Sequence, residues 1–178
     1  MKIAITGHSR GIGKALYDAL SDGHDVEGFS RSNGFDINDP NLIVRAVKKH
    51  DVFVNNAYDS ISQVTILNML WAKWKYDETK TIVNIISMSK YPGLSGNEAG
   101  YSAHKAALSH QAFLLMFKGN RKCIGTEYMI KSIGNQKPHI PKLSSIAVSL
   151  YLFIARMNKL FPVSSIFSVI CITYSLHK

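Results

Sequence analysis

The first 117 residues alternate between short apolar runs and stretches whose apolar residues recur every three or four positions. "KIAIT" at 2–6 is apolar through its middle and stops at Thr-Gly, which predicts a buried parallel strand. "GIGKALYDAL" at 11–20 changes period, with Ile12, Leu16, Ala19 and Leu20 on one helical face. "DVEGFS" at 25–30 predicts a second strand, and "NLIVRAVKKH" at 41–50 a helix behind the Asp39-Pro40 start signal. "DVFVNNA" at 51–57 reads as a third strand, "TILNMLWAKW" at 65–74 as a helix and "TIVNIIS" at 81–87 as a buried strand. "YSAHKAALSHQAFLLMF" at 101–117 is the longest helix. Strands alternating with helices imply parallel βαβ units, so the expected fold class is α/β, a doubly wound parallel sheet of Rossmann type.

After about Lys118 the pattern loosens. Residues 119–145 show weak periodicity and many breakers. Two apolar runs follow, at 145–155 and 160–176, separated by "RMNK". The second has 17 residues without a charge, near the lower limit for a membrane span, but its serines, Thr173 and Pro162 make it a poor one. These runs are read as buried or partner-covered elements, with membrane contact through 145–176 the lesser alternative. The chain therefore divides into a core at 1–117 and a basic, divergent segment at 118–178.

Composition narrows the classes. A chain of 178 residues makes one ordinary domain, and 46% hydrophobic with 19% charged residues fits a globular protein rather than a disordered one. Cys123 and Cys171 are too few for a disulfide framework or a zinc site, and "MKIAITG" is too brief for a signal-peptide core, so a cytoplasmic enzyme is expected. The net charge of +9 looks like a nucleic-acid signal until it is divided. Residues 1–117 hold 12 Lys/Arg against 11 Asp/Glu, whereas residues 118–178 hold 9 against the single Glu127. The basicity belongs to the last third, which lacks aromatic-basic interleaving, and no nucleic-acid partner is expected.

Chemistry concentrates at four places. "TGHSRGIG" at 6–13 lies between a strand and a helix, and its glycines 7, 11 and 13 allow a tight turn and close approach to a pyrophosphate. It is not a P-loop, because Lys14 is followed by Ala15, and it does not match GxGxxG. The other three are "NNA" at 55–57, "IVNIIS" at 82–87 and "YSAHK" at 101–105. In a parallel sheet ligands bind beyond the strand C-termini, so Thr6-Gly7, Asn55-Asn56 and Ser87 converge on one crevice. Tyr101 and Lys105 share a helix face one turn apart. A tyrosine near its ordinary pKa of ~10 is a poor base, and a nearby ammonium favours its anion. Taken alone, that pair reads better as an exposed i,i+4 contact.

Together the four stretches resemble the short-chain dehydrogenase/reductase family: TGxxxGxG, the NNAG motif after the fourth strand with Tyr58 in place of glycine, the serine-bearing strand, and YxxxK. The resemblance covers residues 1–117. It implies an oxidoreductase that interconverts a carbonyl and an alcohol by hydride transfer to or from a nicotinamide cofactor. Tyr101 would be the general acid/base, Ser87 would hydrogen-bond the same substrate oxygen, and Lys105 would also hold the nicotinamide ribose. Gly7, His8, Ser9, Arg10, Gly11, Ile12 and Gly13 would form the cofactor loop, with Asn55, Asn56 and Ala57 beside it. Asp36 and Ile37 resemble the adenine-edge contact, and Asn68 is the match for the family's supporting asparagine.

Ser87 lies 14 residues before Tyr101, one more than the family pattern, and Ser89 lies 12 before it as a rival. Ser87 is preferred because it ends the apolar strand. The passage from "NNA" to Ser87 is shorter than in the family, where its helices build the oligomer; a homo-oligomer remains compatible. Cofactor choice follows from charge: the second strand ends at Ser30-Arg31, with Arg10 able to reach the same side. Two guanidiniums and no carboxylate suit a 2′-phosphate, so NADP(H) is expected over NAD(H). No metal is expected. His8, His104 and His110 lack carboxylate companions, and His104 is read as pointing off the Tyr101/Lys105 face, while Asp18 and Asp22 are helix-surface charges.

In the family the YxxxK helix leads into another strand, a Pro-Gly turn and a substrate lid, and none is recognisable here. Three origins for residues 118–178 stay open: a divergent substrate-binding segment, a docking tail, or a shifted reading frame. The alternative function is a non-catalytic nucleotide-binding protein built on the first half of the fold.

Overall fold

The computed structural model describes residues 1–87, 90–91, 99–118 and 123–128. Its strands are β1 (Lys2–Thr6), β2 (Asp25–Phe29), β3 (Val52–Asn55), β4 (Thr81–Ser87) and β5 (Cys123–Tyr128). The helices between them are α1 (Gly11–Leu20), α2 (Pro40–Ala46), α3 (Ser62–Trp74) and α4 (Ala99–Lys118). The five strands form one parallel sheet in the order β2-β1-β3-β4-β5. Strand order reverses between β1 and β3, and that reversal opens a crevice at the carboxyl ends of those two strands.

Alternate side chains of the strands serve two cores. Ile3, Ile5, Val52, Val54, Val83 and Ile85 pack with Leu16 and Leu20 of α1. On the opposite face Ala4, Phe53, Ile82 and Ile86 pack with Ile43 and Val44 of α2, Ile66, Leu67 and Leu70 of α3, and Leu108 and Leu115 of α4. Burial on both faces explains why β1, β3 and β4 read as continuous apolar runs. A buried leucine or isoleucine contributes on the order of 2 kcal/mol, so either core is ample to hold the crevice in place.

The element boundaries mostly match the sequence pattern, with informative differences. The stretch at 41–50 is α-helical only to Ala46, then tightens into a 3-10 turn over Val47–Lys49. Its start is built as expected, since Asp39 caps it by accepting from the Leu42 N–H at 3.0 Å, with Pro40 at the first turn. Helix α3 begins three residues before the apolar pattern that announces it. "NNA" begins inside the third strand, as its pattern predicts, where the family resemblance has a fourth. The largest difference is β5, which the loosened pattern after Lys118 did not reveal. It pairs along its whole length with β4, from Ile82↔Cys123 to Ser87↔Tyr128. The Pro-Gly turn sought after it, and the apolar runs at 145–176, lie outside the described residues.

Candidate functional site

The glycine turn leaves β1 at Thr6 and is pinned to the neighbouring strand β2. Gly7 takes φ +73 and donates its N–H to the Phe29 carbonyl at the end of β2 at 2.7 Å. A Cβ at Gly13 would stand 2.1 Å from the Gly7 carbonyl oxygen and 2.5 Å from Asn56 Nδ2. The first turn of α1 is therefore seated on the backbone of the turn, with no room for a side chain. Arg10 precedes the helix in extended conformation and gives no side-chain cap, and the first turn carries no acid. An anion at this helix start would meet N–H groups and the positive end of the dipole.

Within the turn Ser9, Arg10 and Gly11 are exposed, and Ile12 is half-buried against the α1 core. His8 turns the other way. Its ring lies where a Cβ at Gly28 would be, 2.1 Å away, and packs on Tyr17 with centroids 5.3 Å apart. At the end of β2, Ser30 is 8% exposed, and its hydroxyl is held by Ser32 at 2.7 Å inside a turn capped by Asn33. Arg31 and Arg10 are both exposed, and no carboxylate occupies the two positions after β2. Asp36 accepts from the Asn38 N–H at 2.9 Å, whereas Ile37 is buried in the α2–α4 core, so of that pair only Asp36 presents a side chain to a ligand.

The two asparagines behave differently. Asn56 Nδ2 donates to the Thr6 carbonyl at 2.8 Å, while the N–H groups of Asn56 and Ala57 donate to Thr6 Oγ1 at 3.0 and 3.1 Å. These bonds lock the end of β3 to the end of β1. Asn55 is 1% exposed, and its amide donates to the Gln63 carbonyl and to Asn84 Oδ1. Asn55 was expected to touch the cofactor; the structure commits its amide to bracing β3 against α3 and β4.

Lys105 is a buried charge at this edge of the sheet. It rises from the second turn of α4, is 3% exposed, and its Nζ donates to Gln63 Oε1 at 2.7 Å and to the Ile85 carbonyl at 2.8 Å. Burial favours the neutral amine and lowers its pKa to about 8, so at pH 7 it is still an ammonium. The ammonium lies 5.8 Å from the centroid of Tyr101 and 5.4 Å from that of Tyr58. Those two rings meet edge to face, centroids 4.8 Å apart. Ser87 ends β4, half-buried, at the same carboxyl edge. Its rival Ser89 lies outside the described residues.

Two expectations are corrected. Asn68 is exposed on α3 and accepts from Gln111 Nε2 at 2.6 Å, away from Lys105. The side-chain amide that does reach Lys105 belongs to Gln63, which also donates to the Asn55 carbonyl at 2.8 Å. A signal for Gln63 existed: it precedes Ile66, Leu67, Leu70 and Trp74 at helical spacing, a polar residue on an apolar stripe. Likewise His104 does not point away from the site. Three residues after Tyr101 is the same helical face, and His104 Nδ1 lies 3.0 Å from the Tyr58 hydroxyl. Asp18 is a helix-surface charge as expected, paired with Lys14 at 2.8 Å. Among the described residues no group of three or more His, Cys, Asp or Glu is placed to hold a metal, and no helix is long and apolar enough to cross a membrane.

No family model and no curated protein matches the chain. Solved structures do. The 3-alpha-hydroxysteroid dehydrogenase from Pseudomonas sp. B-0831, complexed with NADH, is 20% identical with a TM-score of 0.65, covering 89% of this chain and 90% of that one. A short chain dehydrogenase from Burkholderia cenocepacia J2315, in complex with NADP, is 16% identical with a TM-score of 0.66, covering 86% and 84%. An oxidoreductase (short chain dehydrogenase/reductase) from Brucella ovis is 21% identical with a TM-score of 0.62, covering 85% and 91%. Likeness of this extent at such low identity establishes architecture: the chain has the Rossmann-like fold of the short-chain dehydrogenases.

Proposed function

We propose that the protein is an NADP(H)-dependent oxidoreductase of the short-chain dehydrogenase/reductase type, interconverting a carbonyl and an alcohol. The observation that carries this reading is a buried ammonium, Lys105, bonded to β4 beside the Tyr101 phenol, with β3 between that strand and the β1 that leads into the glycine turn. The close seating of Gly13 on Gly7 and the uncapped start of α1 suit the diphosphate of a dinucleotide. Gly7, Gly11 and Gly13, with the N–H groups of the turn, would hold that diphosphate, and Lys105 the nicotinamide ribose. Arg10 and Arg31 would hold a 2′-phosphate, where an acid would repel it. Solved neighbours complexed with NADH and with NADP support a nicotinamide dinucleotide without choosing between the two.

When bound, the nicotinamide supplies or accepts the hydride. Tyr101 gives its phenolic proton to the substrate oxygen in reduction and takes it back in oxidation. Lys105 places a buried ammonium 5.8 Å from the centroid of the Tyr101 ring. Ser87 donates a hydrogen bond to the same oxygen and fixes its position. Gln63 Oε1 and the Ile85 carbonyl of β4 together fix the position of the Lys105 ammonium. A non-catalytic nucleotide binder would have no use for an ammonium buried beside a phenol.

The test is NADPH oxidation by the full chain against a panel of aldehydes and ketones. Tyr101→Phe is expected to lower kcat by roughly 10²- to 10⁴-fold while NADPH still binds. Wild-type protein that binds NADPH but turns over nothing in the panel would favour the binder. A kcat/KM with NADH equal to or above that with NADPH would remove the 2′-phosphate assignment.

A further inference from the structure

The proposed function requires a ribose hydroxyl to reach Lys105, yet that residue is 3% exposed. Two of its three ammonium hydrogens go to Gln63 Oε1 and the Ile85 carbonyl. Over the ammonium lie two rings, and they differ in what the reaction asks of them. Tyr101 has to be there. Tyr58 does not: it is 40% exposed, it lies beyond the end of β3, and it stands where the resemblance places glycine. Its contacts with α4 include the edge-to-face packing on Tyr101, the approach to Lys105, a tilted ring contact with His104 and the 3.0 Å hydrogen bond between its hydroxyl and His104. The backbone before it is fixed, since Asn56 and Ala57 are bonded to Thr6. Any rearrangement at this point therefore falls on the Tyr58 side chain.

We propose that Tyr58 is a gating residue of the cofactor site, an aromatic cover latched to His104 that swings off Lys105 before the nicotinamide ribose can bind. This rests on the assignment of Lys105 as the ribose-holding residue. The contacts that hold the ring down compete with the cofactor, so the apparent affinity is the intrinsic one reduced by the fraction of molecules with the ring away. Latch and ring are separable. The hydroxyl and His104 supply the hydrogen bond, whereas the ring supplies the packing and the contact with the ammonium. Removing either part shifts the population toward the open form, and removing both shifts it further.

The experiment is NADPH titration of the full chain by calorimetry and by stopped-flow fluorescence, for wild type, Tyr58→Gly, Tyr58→Phe and His104→Leu. Tyr58→Gly is expected to bind about tenfold more tightly or better, with faster association. Tyr58→Phe and His104→Leu, which lose the latch and keep the ring, are expected to gain roughly two- to fivefold. A gain is informative because damage to the fold lowers affinity. If Tyr58→Gly fails to fold by circular dichroism, the other two variants decide, and no gain in either overturns the gate. Affinities unchanged or weakened in all three, while Tyr101→Phe still abolishes turnover, sink the gate and leave the function standing. Absence of NADPH and NADH binding by wild type and Tyr58→Gly alike sinks both.

Discussion

Toward the amino ends of the strands, charged groups stay near water and meet opposite charges. Lys49 lies 2.9 Å from Glu27 and Lys80 lies 3.6 Å from Asp51, with both carboxylates well exposed. His50 is buried behind them, its Nε2 3.1 Å from Glu27. At the carboxyl ends the arrangement is reversed: Lys105 is buried against amide and carbonyl oxygens and two aromatic rings. An exposed pair of the first kind, such as Lys49 with Glu27, is screened and contributes about 0–1 kcal/mol. An ammonium of the second kind opposes folding, because burial disfavours its charge. One end of the sheet holds charges that the fold tolerates easily. The other holds a charge whose burial works against folding, a cost that the proposed proton-transfer role would account for.

The sharpest way to break this contrast is Lys105→Met. Turnover is expected to fall by roughly 10²- to 10⁴-fold, read in the same NADPH assay. The variant also changes the pH dependence of stability. The folded chain releases the Lys105 proton at about 8, whereas the unfolded chain keeps it to its ordinary 10.5. Between those values the unfolded state binds more protons, so wild-type stability gains with rising pH, by up to about 3 kcal/mol from this group. Urea unfolding at pH 8 and pH 10 measures the gain, and Lys105→Met is expected to lack it. An equal gain in the variant would mean that the ammonium is not desolvated.

Gln63→Leu comes next, since it leaves the Asn55 carbonyl without its amide donor and Lys105 with one acceptor fewer. A loss of about 2–3 kcal/mol is expected by denaturant titration, against less than about 0.5 kcal/mol for Asn68→Ala. Comparable losses would erase the distinction between the two amides of α3. At the opposite end, burial holds His50 below its ordinary 6.5 despite Glu27. The unfolded chain therefore takes up the proton first, and stability falls as pH drops through 6.5, a slope that His50→Leu is expected to flatten. The smallest effect belongs to Lys49→Ala, whose exposed pair with Glu27 predicts a thermal-midpoint change near the error of measurement.

Elements with strong local pattern were legible in the sequence: β1, α1 and β4 fall on the residues their periodicity predicts. β5 was not. "CIGTEY" carries a glycine and a glutamate and follows "GNRK", so nothing local marks it as a strand. Its stability comes from pairing with β4, about forty residues earlier, and such pairing leaves no periodicity behind. The site divides the same way. Residues bound to a motif, such as Gly7, Tyr101 and Lys105, are candidates through the family resemblance, which spacing alone does not supply. Gln63 and Tyr58 act through contacts between α3, the end of β3 and α4 that only the fold creates. Asn68 answers to the expected residue type, but its side chain is exposed and taken up by Gln111 of α4, while Lys105 is met by Gln63.

His8 and Gly28 carry one more consequence. A methyl group on residue 28 would stand 2.1 Å from the ring of residue 8, inside it for practical purposes. The strand that is expected to set cofactor choice thus also sets the path of the glycine turn, with no charged group involved. Anyone redesigning this protein for another cofactor inherits that coupling. Gly28→Ala has to be made together with His8→Ala, as one choice written at two places twenty residues apart.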